Sequence, residues 1–205
     1  MLECNNINIQ NEKNDYLIEN QTFRILQSEI FTLTGASGVG KSTLLKYICG
    51  IKQESFTYSG EIIVYKNIVS HLPTNKRGVR MIFQNDLLFP HMNVIENLLF
   101  AAPPYRKNIK DEALSLLNKL NLSHLSFKNV TMLSGGEYSR ICLARIMINE
   151  PKVLLVDEPF SNLDKNTKNI TRDFFYKNIS AMNCATLIVS HDMEDIYSHD
   201  KVIKL

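Results

Sequence analysis

No stretch of this 205-residue sequence approaches the roughly 20 consecutive apolar residues that a membrane-spanning helix requires, so the chain does not cross a bilayer by itself. Charge of one sign is also missing. With 23 Lys and Arg against 21 Asp and Glu, the formal net charge of +2 is too small to argue for nucleic acid or an anionic membrane. The first residues, MLECNNINIQNEKND, have no apolar segment of signal-peptide length and carry acids early. The four cysteines (Cys4, Cys49, Cys142, Cys184) show no CxxC spacing, which removes a disulfide framework and leaves buried thiols of a reducing compartment. The five histidines (71, 91, 124, 191, 199) form no metal-ligand pattern. There is no internal repeat and no low-complexity linker. What remains is a cytosolic globular chain, 44% hydrophobic, long enough for one large domain or one domain with an inserted subdomain.

Apolar, β-branched runs alternate with helical patterns, the signature of parallel strands joined by crossovers. Four runs predict strands: IFTLT (30–34), VRMIF (79–83), VLLV (153–156) and ATLIVS (185–190). Helical periodicity covers 108–121, where Ile109, Ala113, Leu114, Leu117 and Leu120 share a face, and recurs at 136–149. Residues 86–132 carry helices and no clear strand, and Pro103-Pro104 interrupts them. The first 28 residues suit an antiparallel β edge. The division that follows is a single domain over 1–205, with 1–85 and 150–205 as its core and 86–149 as a helical subdomain.

Each strand run ends in a residue of chemical interest, and ligands of open parallel sheets bind beyond the carboxyl ends of the strands. IFTLT runs into GASGVGKS, which fits G-x-x-x-x-G-K-[ST] between a strand and the helix-like STLLKYI. Gly35, Ala36, Ser37, Gly38, Val39, Gly40, Lys41, Ser42 and Thr43 therefore form a cradle whose backbone N–H groups and helix end face phosphate oxygens. Lys41 reaches the β- and γ-phosphates, and Ser42 ligates Mg²⁺. VLLV ends at Asp157-Glu158. Asp157 holds Mg²⁺, directly or through a water, and Glu158 polarises the attacking water. VRMIF ends at Gln84, placed to contact Mg²⁺ or that water, and ATLIVS ends at His191, placed to donate to a γ-phosphate oxygen. A second glycine turn, LSGGE at 133–137, leads into a helix and offers another grip on an anion.

The order GASGVGKS, Gln84, LSGGE, VLLVDEP, SNLD and His191 resembles the nucleotide-binding subunit of the ABC transporters over essentially the whole chain. LSGG is the specific element, because other P-loop proteins lack it. The resemblance implies an α/β fold: a P-loop NTPase core with a parallel sheet, an N-terminal antiparallel β edge and an inserted helical subdomain. It also implies why one chain has two anion grips. In the family two subunits meet head to tail, and the glycine loop of one and the LSGG of the other hold the same ATP. By that carry-over Ser134, Gly135 and Gly136 contact the partner's γ-phosphate, Asp164 in SNLD couples the two sites, and Tyr16, 25 positions before Lys41, stacks on adenine. The signature reads LSGGE where LSGGQ is commoner, and Asn162 stands where alanine is frequent.

FQNDLLFPHMNV together with DEPFSNLD is similar to compact bacterial importer subunits, in particular those grouped with thiamine-type and uncharacterised import systems. The resemblance thus implies an ATPase, with ATP and Mg²⁺ as cofactors, on the inner face of the cell membrane. Its partners would be integral-membrane permease subunits, a second ATPase subunit in a homodimer and a solute-binding protein, without nucleic acid. The chain ends at Leu205, soon after one last short strand, so no C-terminal regulatory domain is expected. An exporter, a cell-division-type membrane regulator and a P-loop small-molecule kinase are the competing readings, the last having no use for LSGG.

Overall fold

The structure is a computed structural model that describes residues 1–83, 88–161, 163–198 and 201–205. Among the described residues two sheets carry the strands. A parallel sheet takes the order β6-β7-β8-β3-β9, from β3 (Ile30–Thr34), β6 (Val79–Ile82), β7 (Val153–Asp157), β8 (Ala185–Val189) and β9 (Val202–Lys204). Every residue of β7 and β8 is buried, as continuous Val, Leu and Ile runs require when both faces of a parallel sheet are covered. All four predicted runs are strands here, each within one residue of the expected limits.

An antiparallel sheet takes the order β2-β1-β4-β5, from β1 (Leu2–Asn11), β2 (Tyr16–Ile25), β4 (Phe56–Val64) and β5 (Asn67–Ile68). The expected N-terminal edge is thus β1 and β2, and β4 and β5 extend it. In β1 the buried residues are Leu2 and Cys4, then Ile7 and Ile9, so the period-2 pattern slips by one between them. Register shifts against both neighbours lie in that interval, where Asn6 adopts φ 50°. The bulge returns Ile7 to the buried face. Gly60 of β4 lies opposite at φ 98°, and a Cβ there would collide with the Asn6 carbonyl.

Among the described residues five α-helices complete the fold: α1 (Lys41–Cys49), α2 (Val94–Ala101), α3 (Ile109–Lys119), α4 (Gly135–Met147) and α5 (Lys165–Ser180). The break at Pro103-Pro104 falls between α2 and α3. Two compact units emerge from the packing: Met1–Phe83 with Pro151–Glu158 and Ile179–Leu205, and Gln84–Glu150 with Pro159–Asn178. Each has its own core. Leu33, Leu44, Ile48, Leu155 and Leu187 belong to the first, and Leu98, Leu117, Ile141 and Ala144 to the second.

Candidate functional site

The first unit brings strand ends together in register. Leu33 of β3 pairs with Val189 of β8, and Val189 pairs with Asp157 of β7. Asp157 is therefore two strands from the start of the glycine loop, about 10 Å across the sheet.

The loop turns by glycine geometry. Gly38 and Gly40 have φ of 81° and 103°, and a Cβ at Gly40 would lie 2.8 Å from the Leu17 side chain of β2. α1 then starts at Lys41 with no side-chain cap on its N-terminus and no acidic residue in its first turn. Uncapped N–H groups at a helix start favour an anion. The Lys41 side chain folds back into the loop, its Nζ donating to the Gly35 and Ala36 carbonyls at 2.9 and 2.8 Å. Only 7% of Lys41 is exposed, so its charge lies inside the ring of loop backbone.

Ser42, one residue further along α1, hydrogen-bonds to the Asp157 carboxylate. Asp157 is 6% exposed, and its Oδ1 is buried without a hydrogen-bond partner. Burial pushes its carboxyl above the usual range, against the lowering effect of the Ser42 hydrogen bond. An acceptor oxygen left open beside a hydroxyl oxygen is the donor set of a hard cation that takes oxygen ligands. Mg²⁺ suits it, because that ion keeps waters and substrate phosphates and needs few protein ligands.

Glu158 follows in a left-handed conformation, φ 45°, unusual for a non-glycine residue and of the kind that clusters at functional sites. Its backbone N–H donates to the Val189 carbonyl at 3.1 Å, which fixes the turn to β8. Its Oε1 lies 3.2 Å from Nδ1 of His191, the residue that leaves β8. The structure thus joins Glu158 and His191, which sequence spacing alone did not pair. Tyr16, 53% exposed, opens β2 one residue before the Leu17 that lies against Gly40. Gln84 and Asn162 lie outside the described residues.

The remaining predicted residues belong to the second unit. Ser134 is the N-cap of α4: its hydroxyl accepts from Glu137 N–H at 3.3 Å, while Glu137 Oε2 accepts from Ser134 N–H at 2.8 Å. These reciprocal bonds are a capping box. The S-x-x-E spacing signalled it, and the sequence reading missed Glu137. Gly135 adjoins Leu163, and Gly136 is buried beneath α5, where an added Cβ would come 2.7 Å from Thr167 Cγ2. Asp164 accepts from the N–H groups of Asn166 and Thr167 at 3.2 and 3.1 Å, capping the start of α5. The Thr167 side chain's hydrogen bond leads the contacts that hold the Asp164 carboxyl below the usual range.

A parallel α/β sheet with a glycine loop between its β3 strand and an uncapped helix defines the class, a P-loop protein. Residues 18–161 match the profile of the ABC transporter family. The chain is 36% identical over 93% of its length to the spermidine/putrescine import ATP-binding protein PotA of Legionella pneumophila (strain Paris), and covers 52% of that protein. It is 34% identical over 92% of its length to the uncharacterized ABC transporter ATP-binding protein YnjD of Escherichia coli (strain K12), covering 88% of it. The fold resembles the ATP-binding cassette MJ0796, solved as a dimer in a post-hydrolysis state with ADP and Pi. That likeness has a TM-score of 0.79 at 24% identity and covers all of this chain and 94% of the other. This chain belongs to the ABC transporter family. It spans about half the length of PotA, the first of these relatives.

Proposed function

We propose that the chain is the ATP-binding and ATP-hydrolysing subunit of a membrane importer, working on the inner face of the cell membrane beneath separate permease subunits. One observation carries the ATPase reading. Within a single unit, the Lys41-filled loop, the Ser42–Asp157 pair and the Glu158–His191 pair stand on neighbouring strand ends. The backbone of residues 35–43 and the α1 N-terminus bind the triphosphate, and Lys41 turns from the loop carbonyls to the β- and γ-phosphate oxygens. When bound, Mg²⁺ neutralises charge on the phosphate oxygens, held by Ser42, Asp157 and Gln84. Glu158 accepts a hydrogen bond from the attacking water, and His191 orients that carboxylate or donates to the γ-phosphate. Tyr16 stacks on adenine.

Ser134, Gly135 and Gly136 serve a different ATP, the one held by a second copy arranged head to tail, with Asp164 at the interface. The capping box supports this reading, because it orients Ser134 and the first N–H groups of α4. Import is favoured by the likeness to PotA, by name the ATP-binding protein of a spermidine/putrescine import system. A solute-binding protein completes such a system, and the permease rather than this chain selects the cargo.

The test is size-exclusion chromatography of Glu158→Gln with and without ATP, repeated with Ser134→Asp added. Aspartate keeps the N-cap but sets a carboxylate against the partner's phosphate. ATP should convert the single variant to a dimer and leave the double variant monomeric. Equal ATP-driven dimerisation of both would sink the composite site.

A further inference from the structure

A basic cavity lies at the other edge of the parallel sheet, where β6 and β7 begin rather than end. It has a volume of about 540 Å³ and is lined by Lys66, Lys76, Arg77 and Lys152, with apolar walls from Val64 and Leu72 and no acidic residue. None of these four cations pairs with a carboxylate among the described residues. All belong to the first unit. At five residues per strand, the cavity is roughly 15 Å from the glycine loop's edge of the sheet.

Three features show that the cavity is built rather than incidental. Arg77 is 3% exposed, and its guanidinium donates to the Leu72, Tyr47, Ile48 and Ser70 carbonyls. Its charge is thereby fixed in the wall without a counter-ion, and burial draws its pKa below the usual arginine value. The β4–β5 turn is a two-residue loop, Tyr65-Lys66, with both residues left-handed at φ 47° and 69°. Such turns strongly prefer Asn-Gly, so a tyrosine and a lysine there hold strain. The strained turn places Lys66 at the cavity and sets the Tyr65 ring 5.7 Å from Lys152 Nζ. Gly78, at φ 69°, leaves room for the Lys152 stem, since a Cβ would lie 3.3 Å from its Cδ.

We infer that this cavity binds a small phosphate-bearing anion, distinct from the nucleotide of the glycine loop. Four cations with no carboxylate partner among the described residues, around a void within the 300–1,000 Å³ range of small-molecule sites, favour a multiply charged ligand over a monovalent one. The three exposed ammonium groups of Lys66, Lys76 and Lys152 suit non-directional contacts to several phosphate oxygens. The phosphate has two sources: a soluble polyphosphate or phosphorylated metabolite, and the headgroup of an anionic lipid. The recognition chemistry is the same for both.

The test uses full-length protein with Lys41→Ala, which weakens the glycine loop's own claim on phosphate. Isothermal titration with pyrophosphate should give saturable binding that weakens at least tenfold when Lys66→Glu and Lys152→Glu are added. Both lysines are exposed, so circular dichroism melts should match. A control pair, Lys110→Glu and Lys119→Glu on α3, should leave the affinity unchanged. In a second arm, sedimentation with phosphatidylglycerol vesicles is compared with phosphatidylcholine vesicles. Vesicle binding that depends on Lys66 and Lys152, without pyrophosphate binding, assigns the phosphate to a lipid headgroup. Loss of binding in the control pair equal to that in the cavity pair overturns the inference, as does absence of binding in both arms.

Discussion

Asp157 ends a strand whose five residues are all buried, and its environment penalises the charge that its proposed role requires. Burial raises its folded-state pKa above the ordinary carboxylate value, so the folded chain binds this proton more tightly than the unfolded one. Stability from this group is therefore present in acid and lost as pH rises through the folded pKa. Once ionised, the carboxylate, with Oδ1 unsatisfied, is a net cost to the nucleotide-free protein. Asp157→Asn should raise the Tm of nucleotide-free protein at pH 7 by about 2–4 °C, the effect of ~1 kcal/mol in a chain of this size. The gain should shrink in acid, below the raised folded pKa, where the wild-type carboxyl takes up its own proton. Thermal melts at pH 7 and in acid decide it, and a Tm lowered at pH 7 contradicts the account. Glu137 behaves with the opposite sign: its bond from the Ser134 backbone leads the contacts that lower its pKa, so its contribution is lost on acidification.

At the scale of elements, the N-terminus of α4 answers to two demands. Its capping box orients the first turn, and Gly136 lets α5 approach closely enough that Thr167 Cγ2 would meet an added Cβ at 2.7 Å. The second glycine of LSGG is thus a packing residue as well as part of a backbone grip. Gly136→Ala should cost about 1–3 kcal/mol through overpacking. Thr167→Ser removes the offending methyl while keeping a hydroxyl beside Asp164, so adding it should recover most of the loss. A double-mutant cycle by urea unfolding measures this coupling, and simple additivity would refute it. The same helix shows what sequence can carry. Its amphipathic period, the glycine loop and the Asp157-Glu158 pair are local patterns, legible because strand, turn and helix are contiguous. Four of the five parallel strands, β3, β6, β7 and β8, were legible as apolar runs, because buried strands read as unbroken apolar segments. β4 and α5 carried no such signal: Gly60 breaks FTYSGEIIV at a bulge, and KNTKNITRDFFYKNIS is dominated by Lys and Asn. The packing reason for Gly136 lies in α5, and the Glu158–His191 contact joins two strands 33 positions apart, so neither shows in spacing.

At the scale of the molecule, each of the two units has its own hydrophobic core, and Lys41, Ser42, Asp157, Glu158 and His191 all belong to the first. Ligand binding to the folded state stabilises by RT ln(1 + [L]/Kd), about 2.7 kcal/mol at one hundred times Kd. For a chain of this length that is an increase in Tm of roughly 5–10 °C. Scanning calorimetry with ATP and Mg²⁺ on Glu158→Gln, which should not turn over, measures it directly. The transition that moves must be the one belonging to the unit holding Lys41. If both cores melt together, the single transition shifts; if they melt apart, only one does. Lys41→Ala should abolish the shift in either case, because the loop loses the cation that its own carbonyls now hold at 2.9 and 2.8 Å. An undiminished shift in Lys41→Ala would place nucleotide binding somewhere other than the glycine loop, and would undo the ATPase reading at its first step.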